Sequence, residues 1–292
     1  MENIFEIQNL KCSYKKTGKV SPSDLVLEID SLQIPKGKVV FFVGPSGVGK
    51  STILETLGFM NKTIVSVDTF NYCGQDVKSV WEWDDNKISG FRNSEFSFVF
   101  QQCNLMDNFT AYENVMITAL LQGKTELEAR KQTKEVLKKM KLPYDVDRPI
   151  YEYSGGQQQR MAFARAVLPD FIVLFGDEPT GNLDAHSANN LMKILSEEVY
   201  HRGATAIIVS HDMQLAVDYA DMIVMIRKEE REDGTCYGVI DEKSICIKSE
   251  GKWNYESEML NNNDLKTKLL KPFWALAFDF VSVCPAKRVS KR

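Results

Sequence analysis

Gly44-Pro45-Ser46-Gly47-Val48-Gly49-Lys50-Ser51-Thr52 follows the apolar run Lys38 to Val43 and opens a helical stretch that reaches Leu57. Its spacing is G-x-x-x-x-G-K-[ST], which between a strand and a helix reads as a loop that cradles phosphate. Phosphate oxygens need several converging N–H donors. Gly44, Gly47 and Gly49 let the backbone curl around them, and the following helix presents its N-terminus and dipole to the anion. Lys50 is placed to neutralise the β- and γ-phosphates and Ser51 to ligate Mg²⁺; Ser46 and Thr52 complete the expected binding set. The motif alone fits kinases, GTPases and many ATPases.

Working outward, further apolar runs stand at Phe96 to Phe100, Phe171 to Phe175, Ala204 to Val209 and Met222 to Ile226, with helical stretches between them. Short, nearly continuous apolar strands separated by helices predict a mainly parallel α/β sheet buried on both faces. Ile4 to Leu10 and Leu25 to Ile34 read instead as an N-terminal antiparallel layer. From about Gln102 to Leu142 the pattern turns helical, with capping boxes at Thr110-x-x-Glu113 and Thr125-x-x-Glu128. This predicts a helical subdomain, about 102–168, inserted in the sheet domain. Past Phe171 to Phe175 stand Asp177 and Glu178, at the strand end beside the phosphate loop. Asp177 is expected to hold the Mg²⁺ shell and Glu178 to activate the attacking water.

Composition narrows the class without naming it. The 292 residues are 43% hydrophobic and 26% charged, ordinary for a globular protein, and 36 Lys+Arg against 40 Asp+Glu give a net charge of −4. With a pI near 5.6 there is no global basic field for nucleic acid, so none is expected as a direct partner. Glu2 and Glu6 stand where a signal peptide would carry positive charge. The best candidate for a membrane span, Phe273 to Cys284, is too short to cross a bilayer and contains Asp279. The expected location is therefore the cytosolic side. Cys12, Cys73, Cys103, Cys236, Cys246 and Cys284 form no C-x-x-C pair and are expected to be reduced and mostly buried.

At Tyr153-Ser154-Gly155-Gly156-Gln157 a glycine pair runs into the helical stretch RMAFARAVL. Ser154-x-x-Gln157 alone is a capping box. Together with Lys50, Asp177 and Glu178, it resembles the signature motif of ATP-binding cassette (ABC) ATPases, over roughly residues 1–228. The resemblance implies ATP and Mg²⁺ as ligands. It also implies that Ser154, Gly155, Gly156 and Gln157 face the γ-phosphate of an ATP held by the Lys50 loop of a second cassette. A homodimer, or a pair with a related cassette, would complete each site.

The same resemblance assigns further roles. Tyr14, in Cys12-Ser13-Tyr14, looks like the aromatic that stacks on adenine, and Gln101 like the glutamine that reaches metal and water and links them to the inserted helices. Asp184 resembles the acidic residue that contacts the opposing monomer, and His211 the switch histidine that senses the γ-phosphate and positions the water of Glu178. His186 and His201 are expected to be ordinary surface residues.

The tract Glu178-Pro179-Thr180-Gly181-Asn182-Leu183-Asp184 is similar to ATPases of lipoprotein-releasing, macrolide- and peptide-export, and cell-division systems. That implies an integral membrane permease as partner, with this chain peripheral at the cytoplasmic face. The rival readings are a mechanical switch for cell-wall remodelling, a soluble ABC ATPase acting on nucleic acid or ribosome, and a small-molecule kinase. Tyr153 in place of leucine, Phe163 and Gly176 depart from the family pattern without removing a catalytic group. A boundary is expected near residue 228, with 229–292 an amphipathic extension facing membrane or partner; the alternative is a helix packed on the cassette itself.

Overall fold

The structure, a computed structural model, describes residues 2–15, 19–142 and 148–269. Alternating apolar residues make strands β1 (Asn3–Ser13) and β2 (Leu25–Pro35), which pair antiparallel from Phe5↔Ile34 to Ser13↔Leu25. β3 (Val39–Val43) is buried at every position and runs through the phosphate loop into α1 (Lys50–Leu57). β4 (Ile64–Ser66), β5 (Thr69–Tyr72) and β6 (Gln75–Asp76) return to the first layer, and α2 (Asp85–Glu95) leads into β7 (Phe96–Phe100). This segment is welded by aromatics: the rings of Phe59, Tyr72 and Phe91 lie 5.4, 5.5 and 5.6 Å from that of Phe96.

The inserted helices are α3 (Ala111–Leu121) and α4 (Glu126–Lys139), each opened by the expected capping box, followed by α5 (Gly155–Val167). The chain then alternates through β8 (Val173–Asp177), α6 (Ala185–Arg202), β9 (Thr205–Ser210), α7 (Met213–Tyr219) and β10 (Met222–Met225). The apolar run begun at Phe171 thus yields a strand that starts at Val173 and includes Asp177.

β7, β8, β9, β3 and β10 pair in parallel, so the core sheet has the expected class. β3 feeds two cores: Val39, Phe41 and Val43 face one, Val40 and Phe42 the other. Its register decides the site. Phe100 lies opposite Asp177, Asp177 opposite Val209, and Ser210 opposite Val43, so the C-terminal ends of four strands finish level.

The boundary expected near residue 228 falls within a strand. β11 (Arg227–Glu230) and β12 (Cys236–Ile240) form a hairpin whose second strand pairs in parallel with β2. β13 (Ile245–Ser249), β14 (Lys252–Tyr255) and β15 (Glu258–Leu260) extend the core sheet antiparallel from β10. Residues 262–269 are helical, with Leu265 and Leu269 buried in the main core beside Trp253. Up to residue 269 the expected extension is therefore part of the cassette, because its apolar residues find partners in sheets already formed. The rest of the expected amphipathic tail lies outside the described residues.

Of the described cysteines, all free, Cys12 and Cys246 are buried, Cys73 and Cys103 partly so, and Cys236 is exposed. The expectation of mostly buried thiols thus holds only in part. His186 and His201 are exposed, as expected. Among the described residues no helix is long and apolar enough to cross a membrane.

Candidate active site

The phosphate loop leaves the buried end of β3 and enters α1 through Gly49, whose φ of 92° lies in the left-handed region that a β-carbon disfavours. Lys50 folds back over the loop it ends, and its Nζ donates to the carbonyls of Gly44 and Pro45, both at 2.9 Å. Burial pulls its pKa down, against the pull of Glu178 and Asp177, which favour the charged amine. Ser46 and Gly47 are exposed at the tip. On α1, Ser51 Oγ donates to Asp177 Oδ2 at 3.5 Å, and the buried Thr52 shares a hydrogen bond with the Tyr14 hydroxyl at 3.1 Å.

Asp177 and Glu178 stand at the level strand ends. Burial raises the Asp177 pKa, and the adjacent Glu178 charge adds to the rise. The set of Ser51, Asp177 and the Gln101 amide offers only hard oxygen ligands, which suits Mg²⁺ completed by phosphate and water. A carboxyl whose pKa is higher folded than unfolded destabilises the fold where it is ionised in both states. That cost vanishes below the unfolded-state pKa, where it is protonated in both. Asp177→Asn should therefore raise the melting temperature of the nucleotide-free protein near neutral pH and change it little in acid. Scanning calorimetry at the two pH values checks this, and an unchanged Tm at neutral pH refutes it.

Glu178 has φ 47°, unusual for a residue with a β-carbon, and is held there by its N–H bond to the Val209 carbonyl at 2.9 Å. Backbone of this kind persists where the surroundings over-determine it, and the consequence here is a fixed carboxylate direction. Glu178 Oε2 meets His211 Nδ1 at 2.8 Å and the Ser210 hydroxyl at 3.5 Å. The Glu178 side chain is 13% exposed and that of His211 72%, so the histidine covers the carboxylate from the solvent side.

Gln101 directly follows β7, one residue past Phe100, which lies opposite Asp177. Its backbone carbonyl accepts from Asn182 Nδ2 at 3.1 Å, and its side-chain amide lies over Gly181. What holds this turn was missed by the sequence reading. Gln159, fully buried on α5, donates to the Pro179 carbonyl at 2.7 Å and to the Phe100 carbonyl at 3.5 Å, and accepts from the Cys103 thiol at 3.0 Å. Arg165, two turns along the same helix, donates to the carbonyls of Asn104 and Cys103 at 2.6 and 2.8 Å. α5 thereby grips both the Gln101 turn and the segment after Glu178. The only sequence signal was a third glutamine at a position where that helix faces the core.

Tyr14 is 44% exposed, its hydroxyl also bonded to Glu55 at 2.8 Å, and burial chiefly pushes its pKa up to about 12. It lines a cavity of about 600 Å³ with Lys15, Asn61 and Thr63. Ser154 forms the capping box with Gln157: its N–H donates to Oε1 at 2.9 Å and its Oγ accepts from the Gln157 N–H at 3.3 Å. Ser154 and Gly155 are exposed, Gly156 and Gln157 half-buried, so the N-terminus of α5 is open. Asp184, exposed, caps α6 by accepting from the Ser187 N–H at 3.0 Å; hydrogen bonding by the Ser187 side chain, and then by this N–H, lowers its pKa. Among the described residues no hydrogen bond or ion pair joins this group to the phosphate loop. The fold therefore gathers Lys50, Ser51, Asp177, Glu178, Gln101 and His211 at the strand ends, while Ser154 to Gln157 and Asp184 share no described hydrogen bond with the phosphate loop and pack instead beside the segment after Glu178, with Leu183 against Gly156.

A family model described as ABC transporter matches residues 27–181, more than half of the chain. A macrolide export ATP-binding/permease protein of Shewanella sp. (strain ANA-3) is 38% identical over 202 residues, covering 69% of this chain and 30% of that protein. The chain thus spans about a third of the length of such relatives. A solved ATP-binding cassette, dimeric in a post-hydrolysis state with ADP and Pi, is 29% identical; the match covers 76% of this chain and 93% of that one, with a TM-score of 0.66. A cassette from Clostridium perfringens, at 22% identity and a TM-score of 0.68, shares the fold over 96% of this chain and 100% of its own.

Proposed function

The chain belongs to the ABC transporter family, and from that premise we propose that it is the ATP-hydrolysing cassette that drives a membrane permease in an export-type system. What carries the reading is the split of the site. The Lys50 loop, Asp177, Glu178 and His211 meet at the strand ends, while the α5 N-terminus is exposed and makes no described hydrogen bond to the phosphate loop. An exposed helix N-terminus favours an anion, and one supplied by a second cassette makes ATP part of the interface. The site then works as a homodimer or a pair of related cassettes.

In the proposed mechanism Tyr14 stacks on the base and the amides of Gly44 to Thr52 bind the phosphates. Lys50 leaves the carbonyls of Gly44 and Pro45 for the β- and γ-phosphate oxygens. Ser51, Asp177 and Gln101 would hold Mg²⁺, which when bound would supply Lewis-acid stabilisation of the phosphate charge. Glu178 accepts a proton from water as the water oxygen attacks the γ-phosphorus and the bond to ADP breaks. His211 keeps the accepting carboxylate aimed, and Asp184 faces the second cassette.

The longer relatives are macrolide export ATP-binding/permease proteins, and in this reading cargo choice lies with the membrane subunit. The chain is placed at the cytoplasmic face, bound through that subunit. The reading is tested by affinity purification from detergent-solubilised native membranes, with and without MgATP. An integral membrane protein copurifying at stoichiometric level is the expected result. Ribosomes or nucleic acid in its place would move the chain to a soluble role.

A further inference from the structure

The phosphate loop rests on chain far beyond the stretch that the family model matches. Ile226, just after β10, donates its N–H to the Val43 carbonyl at 2.8 Å, and its own carbonyl backs Gly44. Gly238, in β12, lies opposite Leu27 of β2 on one side and Lys228 of β11 on the other. Its α-carbon presses on the loop from beneath: a β-carbon there would stand 2.0 Å from the Val48 carbonyl oxygen and 2.7 Å from Ile226 Cγ2. Even close C–H···O contacts keep carbon and oxygen about 3.3 Å apart, so nothing larger than glycine fits without displacement.

We infer that Gly238 is a positioning residue for nucleotide binding, its bare α-carbon setting the height of Val48 and so the aim of the loop's N–H groups. This rests on the reading of the loop as the nucleotide site. If a methyl group is added, either β12 or the loop must move. β12 is paired on both edges and anchored by the fully buried Ile240, whereas Val48 lies between Gly47 and Gly49, both at positive φ. The loop yields at lower cost, and a loop raised by about an ångström no longer converges its donors on one phosphate.

The experiment compares Gly238→Ala with wild type in the full chain, titrating MgADP and MgATP calorimetrically and recording the nucleotide-free melting curve. Affinity for both nucleotides should fall about ten- to a hundred-fold, the scale of lost charge-assisted hydrogen bonds, with the fold retained. Gly90→Ala, on the exposed side of α2 with open space around it, should bind as wild type. Adding Ile226→Ala relieves only the side-chain clash, so it should not restore affinity; recovery would place the effect on Ile226 and overturn the inference. Wild-type affinity in Gly238→Ala would also overturn it, whereas a wild-type protein that binds no nucleotide would defeat the underlying reading.

Should the alanine variant not fold, amide hydrogen exchange on the wild-type protein decides. Coupling is reciprocal, so MgADP should slow exchange across 226–240 as well as in the loop. Protection confined to the loop would refute the coupling.

Discussion

Glu178→Gln is expected to lower the steady-state ATPase rate by about 10²- to 10⁴-fold, the range that a positioned general base contributes, while MgATP affinity stays near that of wild type. Glutamine keeps the shape and the strained backbone at φ 47° but offers no basic carboxylate. The other contacts of the site, Lys50 to the loop carbonyls and Ser51 to Asp177, do not involve the Glu178 side chain, so binding should survive. The variant should then accumulate as an ATP-bound dimer, visible by size-exclusion chromatography with light scattering. His211 provides the internal comparison: it touches the carboxylate at 2.8 Å and is largely exposed, so His211→Ala should slow turnover less than Glu178→Gln does. Multiple-turnover hydrolysis at the normal rate by Glu178→Gln would remove Glu178 from the base role.

Lys50→Ala should cost about ten- to a hundred-fold or more in MgATP affinity. The amine has two roles. Without nucleotide it ties together the start of the loop, through the carbonyls of Gly44 and Pro45. In the proposed mechanism it moves to the β- and γ-phosphates, from a position already partly desolvated and within the field of Glu178 and Asp177. Arginine should not rescue it, because a planar guanidinium cannot replace a compact ammonium in so tight a curl. Equilibrium binding of a fluorescent ATP analogue checks both variants. Tight binding by Lys50→Ala would show that the loop amides alone hold the phosphates.

Much of the site was legible because its chemistry is local. The phosphate loop, the Ser154–Gln157 capping box and the pair Asp177–Glu178 each lie within a few residues, so spacing alone specifies their geometry. The antiparallel layer and the parallel strands were legible through the two-residue period and the apolar runs. The boundary near 228 misled for a physical reason. The charged run Arg227 to Asp233 reads as a linker, yet β11 is an edge strand, where charged side chains reach water while the backbone pairs with β12.

Sequence by itself determined the fold class, through the period and apolar runs, and pointed by spacing to the phosphate loop and the Asp177–Glu178 pair; the roles expected of Gln101, Asp184 and His211 came from the family resemblance. Tertiary structure alone decided that four strands end level, so that Lys50, Asp177, Glu178 and His211 share a site. It alone revealed Gln159 holding the Gln101 turn and Gly238 beneath Val48. Register, burial of a lone amide and contact between distant backbones depend on how remote segments pack, and no local pattern of residue types encodes that.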